Sequence, residues 1–298
     1  MSSAGHKPHR KPRYTVHGGF RMPMGFPPEG FESALTYVPE PGDVFVSTYP
    51  KCGTTWMQYI VYLIVHRGEP LPDGATLVDA FPHLEEIGAE AARALPRPRL
   101  LKTHLPLPMA PFGRDARYVF VARNPFDCAV SFYYHTQGFV KHYDFAEGTF
   151  DDFFECFIAG EVDFGDYFEH LVSWYARRGE PNVLVVTYED MRADPGRALD
   201  GVARFRGPEH AEAVADLGLR SRILEHSSFA AMSRAQGRWS SARPAGSAPF
   251  VRKGVVGDWR AHFSSEQARR LAERFRAATG GAGAYALWPD IVAAALEH

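Results

Sequence analysis

Residues 44–65 constrain the fold more tightly than any other stretch of this 298-residue chain. An apolar β-branched run, Val44-Phe45-Val46, leads into STYPKCGTTW, and a helix-like apolar run begins at Met57. A strand that turns through such a loop into a helix presents free backbone N–H groups at the helix N-terminus, where dipole and donors favour an anion. Gly53 lets the backbone approach a ligand closely, Lys51 adds a point charge, and Thr54 and Thr55 add hydroxyl donors. Taken alone, the loop reads equally well as a capped helix with a solvated lysine. Its spacing is not the GxxxxGK[ST] of nucleoside triphosphatases.

Four short β-branched runs, residues 44–48, 100–103, 117–122 and 183–188, read as buried parallel strands. Helical patterns lie between and after them over 53–66, 125–135, 150–159, 167–176, 189–204, 211–218 and 221–235. Such alternation implies right-handed βαβ units, hence an α/β domain with a parallel β-sheet flanked by helices. With 45% hydrophobic residues the chain can fill one large core, and no Pro/Gly/Ser linker divides its middle. The expected organisation is a flexible basic tail over residues 1–15 and a single domain over 16–298. Ser264 and Gln267 form a capping box for a last helix with Ala268, Leu271, Phe275 and Ala278 as its apolar stripe. Residues 236–252, rich in Gly, Ser, Pro and Ala, read as a long loop, either a lid or disordered.

The net charge of −2 gives no global basic field, so a nucleic-acid partner is not expected. Cys52, Cys128 and Cys156 are sparse and lack CxxC spacing, which points to a reducing cytoplasmic location. The N-terminus has no apolar signal region, and no run approaches the ~20 apolar residues of a membrane helix.

Further cations recur beside small residues. In ARNPFDCAVSFYYH, Arg123 ends a strand, where open parallel sheets bind ligands. Asn124 and Pro125 suit a helix start, and Ser131, about two turns on, can face the same ligand. In FVRKGVVGDWR, Arg252 and Lys253 stand beside Gly254, a grouping suited to phosphate. Each cluster alone also reads as surface ion pairing; three together point to a ligand with more than one phosphate. In LLKTHLP, Lys102 and His104 share a strand face, and His104 is placed to take a proton near the anion site. The four strands end in Thr-Tyr, Thr-His, Ala-Arg and Thr-Tyr-Glu, so no Mg²⁺-binding carboxylate of the triphosphatase kind is present, and no metal is expected.

With these clusters in hand the chain resembles the cytosolic sulfotransferases, which use 3′-phosphoadenosine 5′-phosphosulfate (PAPS) as sulfuryl donor and release 3′-phosphoadenosine 5′-phosphate (PAP). The resemblance covers roughly residues 30–275 and rests chiefly on TYPKCGTTW, ARNPFDCAVSFYYH and RKGVVGDW; LLKTHLP, GEVDFGDYFEH and TYEDM add to it. It implies a sulfotransferase fold, akin to P-loop nucleoside triphosphatases, whose loop Lys51, Cys52, Gly53, Thr54 and Thr55 holds the 5′-phosphosulfate. It implies that Arg123, Ser131, Arg252, Lys253 and Gly254 bind the 3′-phosphate. Trp56, Tyr188 and Phe229 would border adenine, with Ser227 standing where the family has Thr. His104 would be the general base, Lys51 would stabilise the leaving phosphate, Lys102 would bear on the sulfuryl group, and Ser131 would restrain Lys51.

The chain departs from the family pattern in two places. Cys52 replaces Ser or Ala, and a thiol at a helix N-terminus beside Lys51 is expected either to have a lowered pKa or to be an inert small residue. The dimer motif KxxxTVxxxE is degraded, with Arg260, Ser264, Ser265 and Arg269 in place of Lys, Thr, Val and Glu, so monomer and dimer both stay open. The acceptor is expected to be a small phenol, steroid, alcohol or amine, with Phe20, Phe81, His83 and Phe139 lining its pocket. Two other readings remain at this level: a P-loop nucleoside kinase and a non-catalytic nucleotide-binding protein.

Overall fold

The computed structural model describes residues 10–240, 244 and 246–298. Most of the expected tail, residues 1–9, and part of the expected loop, residues 241–243 and 245, lie outside the described residues. Residues 10–14 lie against the body: Arg10 pairs with Glu147 at 2.8 Å, Lys11 with Glu161 at 2.6 Å, and the Arg13 N–H donates to the Tyr143 carbonyl at 2.7 Å.

The chain opens with an antiparallel hairpin, β1 (Thr15–His17) and β2 (Phe20–Met22), then α1 (Pro28–Leu35). β3 (Val44–Thr48), α2 (Thr54–Val65), α3 (Leu77–Ala80), α4 (Leu84–Ala94) and β4 (Leu100–Thr103) complete the first crossover. β5 (Arg117–Ala122) leads through α5 (Pro125–Gly138), α6 (Val140–Tyr143), α7 (Phe150–Ile158) and α8 (Tyr167–Tyr175) to β6 (Val183–Thr187). Then follow α9 (Tyr188–Ala193), α10 (Pro195–Arg206), α11 (Pro208–Ala215), α12 (Leu217–His226), α13 (Phe229–Arg234), α14 (Ser265–Thr279) and α15 (Pro289–Leu296).

The expected strands form one parallel sheet in the order β4-β3-β5-β6, with Val44 opposite both Leu100 and Arg117 and Tyr118 opposite Val183. Helices cover both faces. Val44, Val46, Val119 and Val121 bury against the α2 and α10 side, while Phe45, Tyr118 and Phe120 bury against the α5, α7, α8 and α14 side. Because β3 and β5 are buried on both faces, residues 44–46 of β3 and 118–122 of β5 are continuous apolar runs rather than alternating ones. Each fully buried aliphatic or aromatic side chain contributes about 1.5–3 kcal/mol.

Several boundaries differ from those expected. The strand at 183–188 ends at Thr187, whose hydroxyl accepts from the Asp190 N–H and so starts α9 one residue early. The helix expected over 189–204 breaks at Asp194, because a residue before proline is pushed out of the helical region. The one expected over 221–235 breaks where Ser228 caps α13, its hydroxyl accepting from the Ala231 N–H at 3.2 Å. The Ser264–Gln267 capping box is present. Among the described residues no helix is long and apolar enough to cross a membrane.

Candidate active site

All four sheet strands deliver residues to one place. Beyond β3 lies the loop 49–53, beyond β4 His104, beyond β5 Arg123, and beyond β6 Tyr188. The strand order reverses around β3, so a crevice opens at the carboxyl edge of the sheet. A cavity of about 330 Å³ fills it, lined by Lys51, Gly53, Thr54, Thr55, Trp56, Lys102, His104, Arg123, Ser131 and Tyr188. Ser227, Phe229, Arg252, Lys253, Gly254, His83 and Phe139 also line it.

The loop conformation depends on left-handed backbone at two positions. Lys51 adopts φ 68° and Gly53 φ 96°. A side chain at Gly53 would also place its Cβ 2.8 Å from the Tyr188 ring, so glycine is required both for conformation and for space. The Lys51 ammonium lies 4.2 Å from the centre of the Phe250 ring and 3.4 Å from His135 Nδ1. Thr54 Oγ1 is 2.6 Å from Thr48 Oγ1, which ties the start of α2 to the end of β3.

His104 is anchored from below. Glu85, fully buried, accepts from Thr103 Oγ1 at 2.7 Å, from the His104 N–H at 2.8 Å and from the Leu105 N–H at 3.1 Å, all through Oε1. Its Oε2 lies 3.2 Å from His83 Nε2, within ion-pair reach but without the alignment of a hydrogen bond. Burial alone would raise the Glu85 pKa, yet the charge of His83 close by, the Thr103 hydroxyl and the His104 N–H together hold it below the usual carboxylate range. His104 Nδ1 is 2.8 Å from the Thr48 carbonyl. A carbonyl only accepts, so Nδ1 carries the proton and Nε2 keeps the lone pair. Burial pushes the imidazole well below its ordinary pKa, with His83 and Lys102 adding to the effect. Burial likewise lowers Lys102, opposed by Glu86 and Glu85.

Arg123 is 7% exposed and lies 4.3 Å from the centre of the Tyr188 ring. Its Nη1 donates to the Lys51 carbonyl at 3.2 Å, while its Nε is buried with no partner. Among the described residues it forms no ion pair with a carboxylate, whereas Arg252 and Lys253 each lie 2.6 Å from Asp258. Gly254 has φ 63°, and a Cβ there would fall 2.4 Å from Phe229, so the backbone at Gly254 packs directly against that ring. The C-terminal motif is clamped to α5: Asp127 Oδ2 accepts from the Gly257 N–H at 2.8 Å and Oδ1 from the Trp259 N–H at 3.0 Å. The sequence carries no signal for this clamp beyond Asp127 within the Arg123 motif.

Three expected residues lie elsewhere. Cys52 faces the core with its thiol 3.8 Å from Cys128, because the turn at Lys51 aims it away from the cavity. Burial, and then the Cys128 contact, push its pKa well up rather than down, which favours the inert small residue of the two alternatives. Phe81 caps the end of α3 and packs in the core with Val46 and Ile60, its carbonyl accepting from Gln58 Nε2 at 2.8 Å. Phe20 stacks on Phe31 at 5.8 Å, outside the cavity lining. Ser227 reaches the cavity, but its hydroxyl already donates to the Ile223 carbonyl at 2.7 Å. Phe26, Glu86, His135, Asp163, Phe164 and Phe250 line the cavity without having been singled out. For Asp163 and Phe164 the motif GEVDFGDYFEH was the available signal.

Comparison with known proteins agrees with this geometry. A family model described as a sulfotransferase domain matches residues 41–283. The chain is 36% identical over 247 residues to sulfotransferase 1C2 of Oryctolagus cuniculus, covering 80% of this chain and 83% of that protein. The crystal structure of mouse sulfotransferase SULT7A1 complexed with PAP superposes with a TM-score of 0.75 at 24% identity, over 94% of this chain and 99% of that one. Retinol dehydratase in a complex with retinol and PAP gives a TM-score of 0.70 at 24% identity, over 83% of this chain and 84% of that one. At that identity the two structures speak for the fold.

Proposed function

The chain belongs to the sulfotransferase family, and on that premise we propose that it moves the sulfuryl group of PAPS to a hydroxyl or amine of a small phenolic, steroidal or alcohol acceptor. The observation that carries this reading is Arg123, a buried guanidinium in the cavity wall with an orphaned Nε and no carboxylate ion pair among the described residues. A buried cation left in that state fits an anionic ligand. In this reading Arg123, Ser131, Arg252, Lys253 and Gly254 hold the 3′-phosphate, and Trp56, Tyr188, Ser227 and Phe229 border adenine. Lys51 to Thr55 surround the phosphosulfate, with Cys52 contributing only backbone.

PAPS supplies an activated sulfuryl group whose transfer leaves a phosphate. His104 takes the acceptor proton at Nε2, the nitrogen that the Thr48 bond leaves unprotonated. Lys51 and the N–H groups of the loop stabilise the charge that grows on the departing phosphate. Lys102 bears on the sulfuryl oxygens, and Ser131 restrains Lys51 until an acceptor is present. The reading assigns no metal to the step and a cytoplasmic location to the protein.

Calorimetric titration with PAP, with ADP and ATP as controls and no Mg²⁺, tests the donor site. A clear preference for PAP is the expected result. Binding of ATP only with Mg²⁺ would favour a kinase instead. Tight PAP binding without transfer from PAPS to any phenol, sterol or amine would favour a nucleotide sensor.

A further inference from the structure

The cavity wall holds a carboxyl that the proposed reaction leaves unused. Asp163 lines the cavity and is 1% exposed. Its Oδ2 accepts from the Tyr143 hydroxyl at 2.8 Å, while Oδ1 is buried with no hydrogen-bond partner among the described residues. No lysine, arginine or histidine among the described residues pairs with it, and burial raises its pKa to about 7 against the pull of the Tyr143 hydroxyl and of its own backbone N–H. Asp127, the carboxylate that clamps the C-terminal motif, shows the contrast. Both of its oxygens are filled, Oδ1 by Trp259 and Oδ2 by Gly257 and Asn124.

The position of Asp163 is set by its neighbours on both sides. Phe164 adopts φ 61°, a region sparsely populated by non-glycine residues and typical of functional sites. This turn brings its ring to 5.0 Å from His104 and 6.3 Å from Phe26. On the other side the Tyr143 ring lies 5.8 Å from His135, whose Nδ1 is 3.4 Å from the Lys51 ammonium. The carboxyl therefore belongs to a continuous wall running from the general base to the phosphate loop.

We propose that Asp163 is a specificity-determining residue for the acceptor, its Oδ1 taking a hydrogen bond from a hydroxyl or ammonium that the acceptor carries in addition to the group that is sulfated. This rests on the sulfotransferase reading of the same cavity. A buried acceptor atom without a donor carries a desolvation cost. A purely apolar phenol leaves that cost in place, and a phenol with a second donor removes it. Sites built in this way discriminate strongly against analogues that lack the group.

The test is calorimetric binding to the PAP-loaded protein. The probes are 4-alkylphenols with arms of increasing length and their counterparts ending in hydroxyl or ammonium. At one arm length the donor-armed phenol is expected to bind about tenfold or more tighter than its alkyl match. Asp163→Asn is expected to shrink that ratio, most for ammonium, and Asp163→Leu to abolish it. Thermal melting reports folding, and Tyr143→Phe, which keeps Asp163, is expected to retain the ratio. The proposal is overturned by wild-type protein that gains nothing from a donor arm of any length, or by a ratio that survives Asp163→Leu. Binding is read without turnover, so a protein that shows the ratio yet transfers no sulfuryl group defeats the proposed reaction and leaves Asp163 its role.

Discussion

His104 Nδ1 stands 2.8 Å from the carbonyl oxygen of Thr48, joining the carboxyl ends of two adjacent parallel strands. That bond selects the tautomer, and burial keeps the ring neutral. His104→Ala is therefore expected to lower kcat by about 10²–10⁴-fold while PAP affinity, read by calorimetry, stays within about twofold. The acid limb of kcat/KM should lie below pH 6.5, the ordinary histidine value. An acid limb at or above that value would show that burial does not hold His104 neutral.

Arg252 and Lys253 share Asp258, each at 2.6 Å. The proposed 3′-phosphate contact makes Arg252 the group that distinguishes PAP from AMP. Arg252→Ala is expected to weaken PAP by about tenfold or more, in the range of a charge-assisted hydrogen bond. AMP should be nearly unaffected. Equal losses for the two nucleotides would remove Arg252 from the 3′-phosphate site.

All three cysteines are buried, and burial raises Cys52 well above the ordinary thiol pKa and Cys156 to about 11. Only thiolate reacts rapidly with disulfide reagents. Native protein should therefore show almost no fast-reacting thiol toward Ellman's reagent, with or without PAP, and the full complement after unfolding. A fast thiol that PAP protects would mean that the loop opens in solution.

Burial pushes Asp163 up to about 7 in the folded chain against 3.8 for an ordinary aspartate. The folded state thus binds a proton that the unfolded state has released, and the contribution of Asp163 to stability falls as pH rises from about 4 to 7. Tyr143, Tyr14 and Tyr49 are titratable side chains that interact with this carboxyl, and all three stay neutral there because burial raises them. His104 and His170, lowered by burial, give stability that is lost as pH falls below 6.5; they act alike in wild type and variant. The stability advantage of Asp163→Asn should therefore grow between pH 5 and pH 8, by at most about 1.4 kcal/mol per pH unit. Denaturant midpoints at matched pH check this, and a constant difference would mean that Asp163 does not titrate in that range.

The central strand, the loop at Lys51 and the helix after it were legible in the sequence because their determinants are adjacent residues. Apolar runs, a glycine with positive φ and a capping box each act within a few positions. The cations that line the cavity were legible for the same reason, since each sits beside its own glycine, proline or strand end. What the tertiary structure decided is which of these side chains have partners. Glu85 reaches His104 across 19 positions, and Asp127 reaches Gly257 across 130. The same packing turned Cys52 and Phe81 into the core and left Asp163 with one oxygen unpaired in the cavity wall. Hydrogen bonds across such separations follow from how helices and sheet pack, and a linear pattern of residues does not carry that geometry.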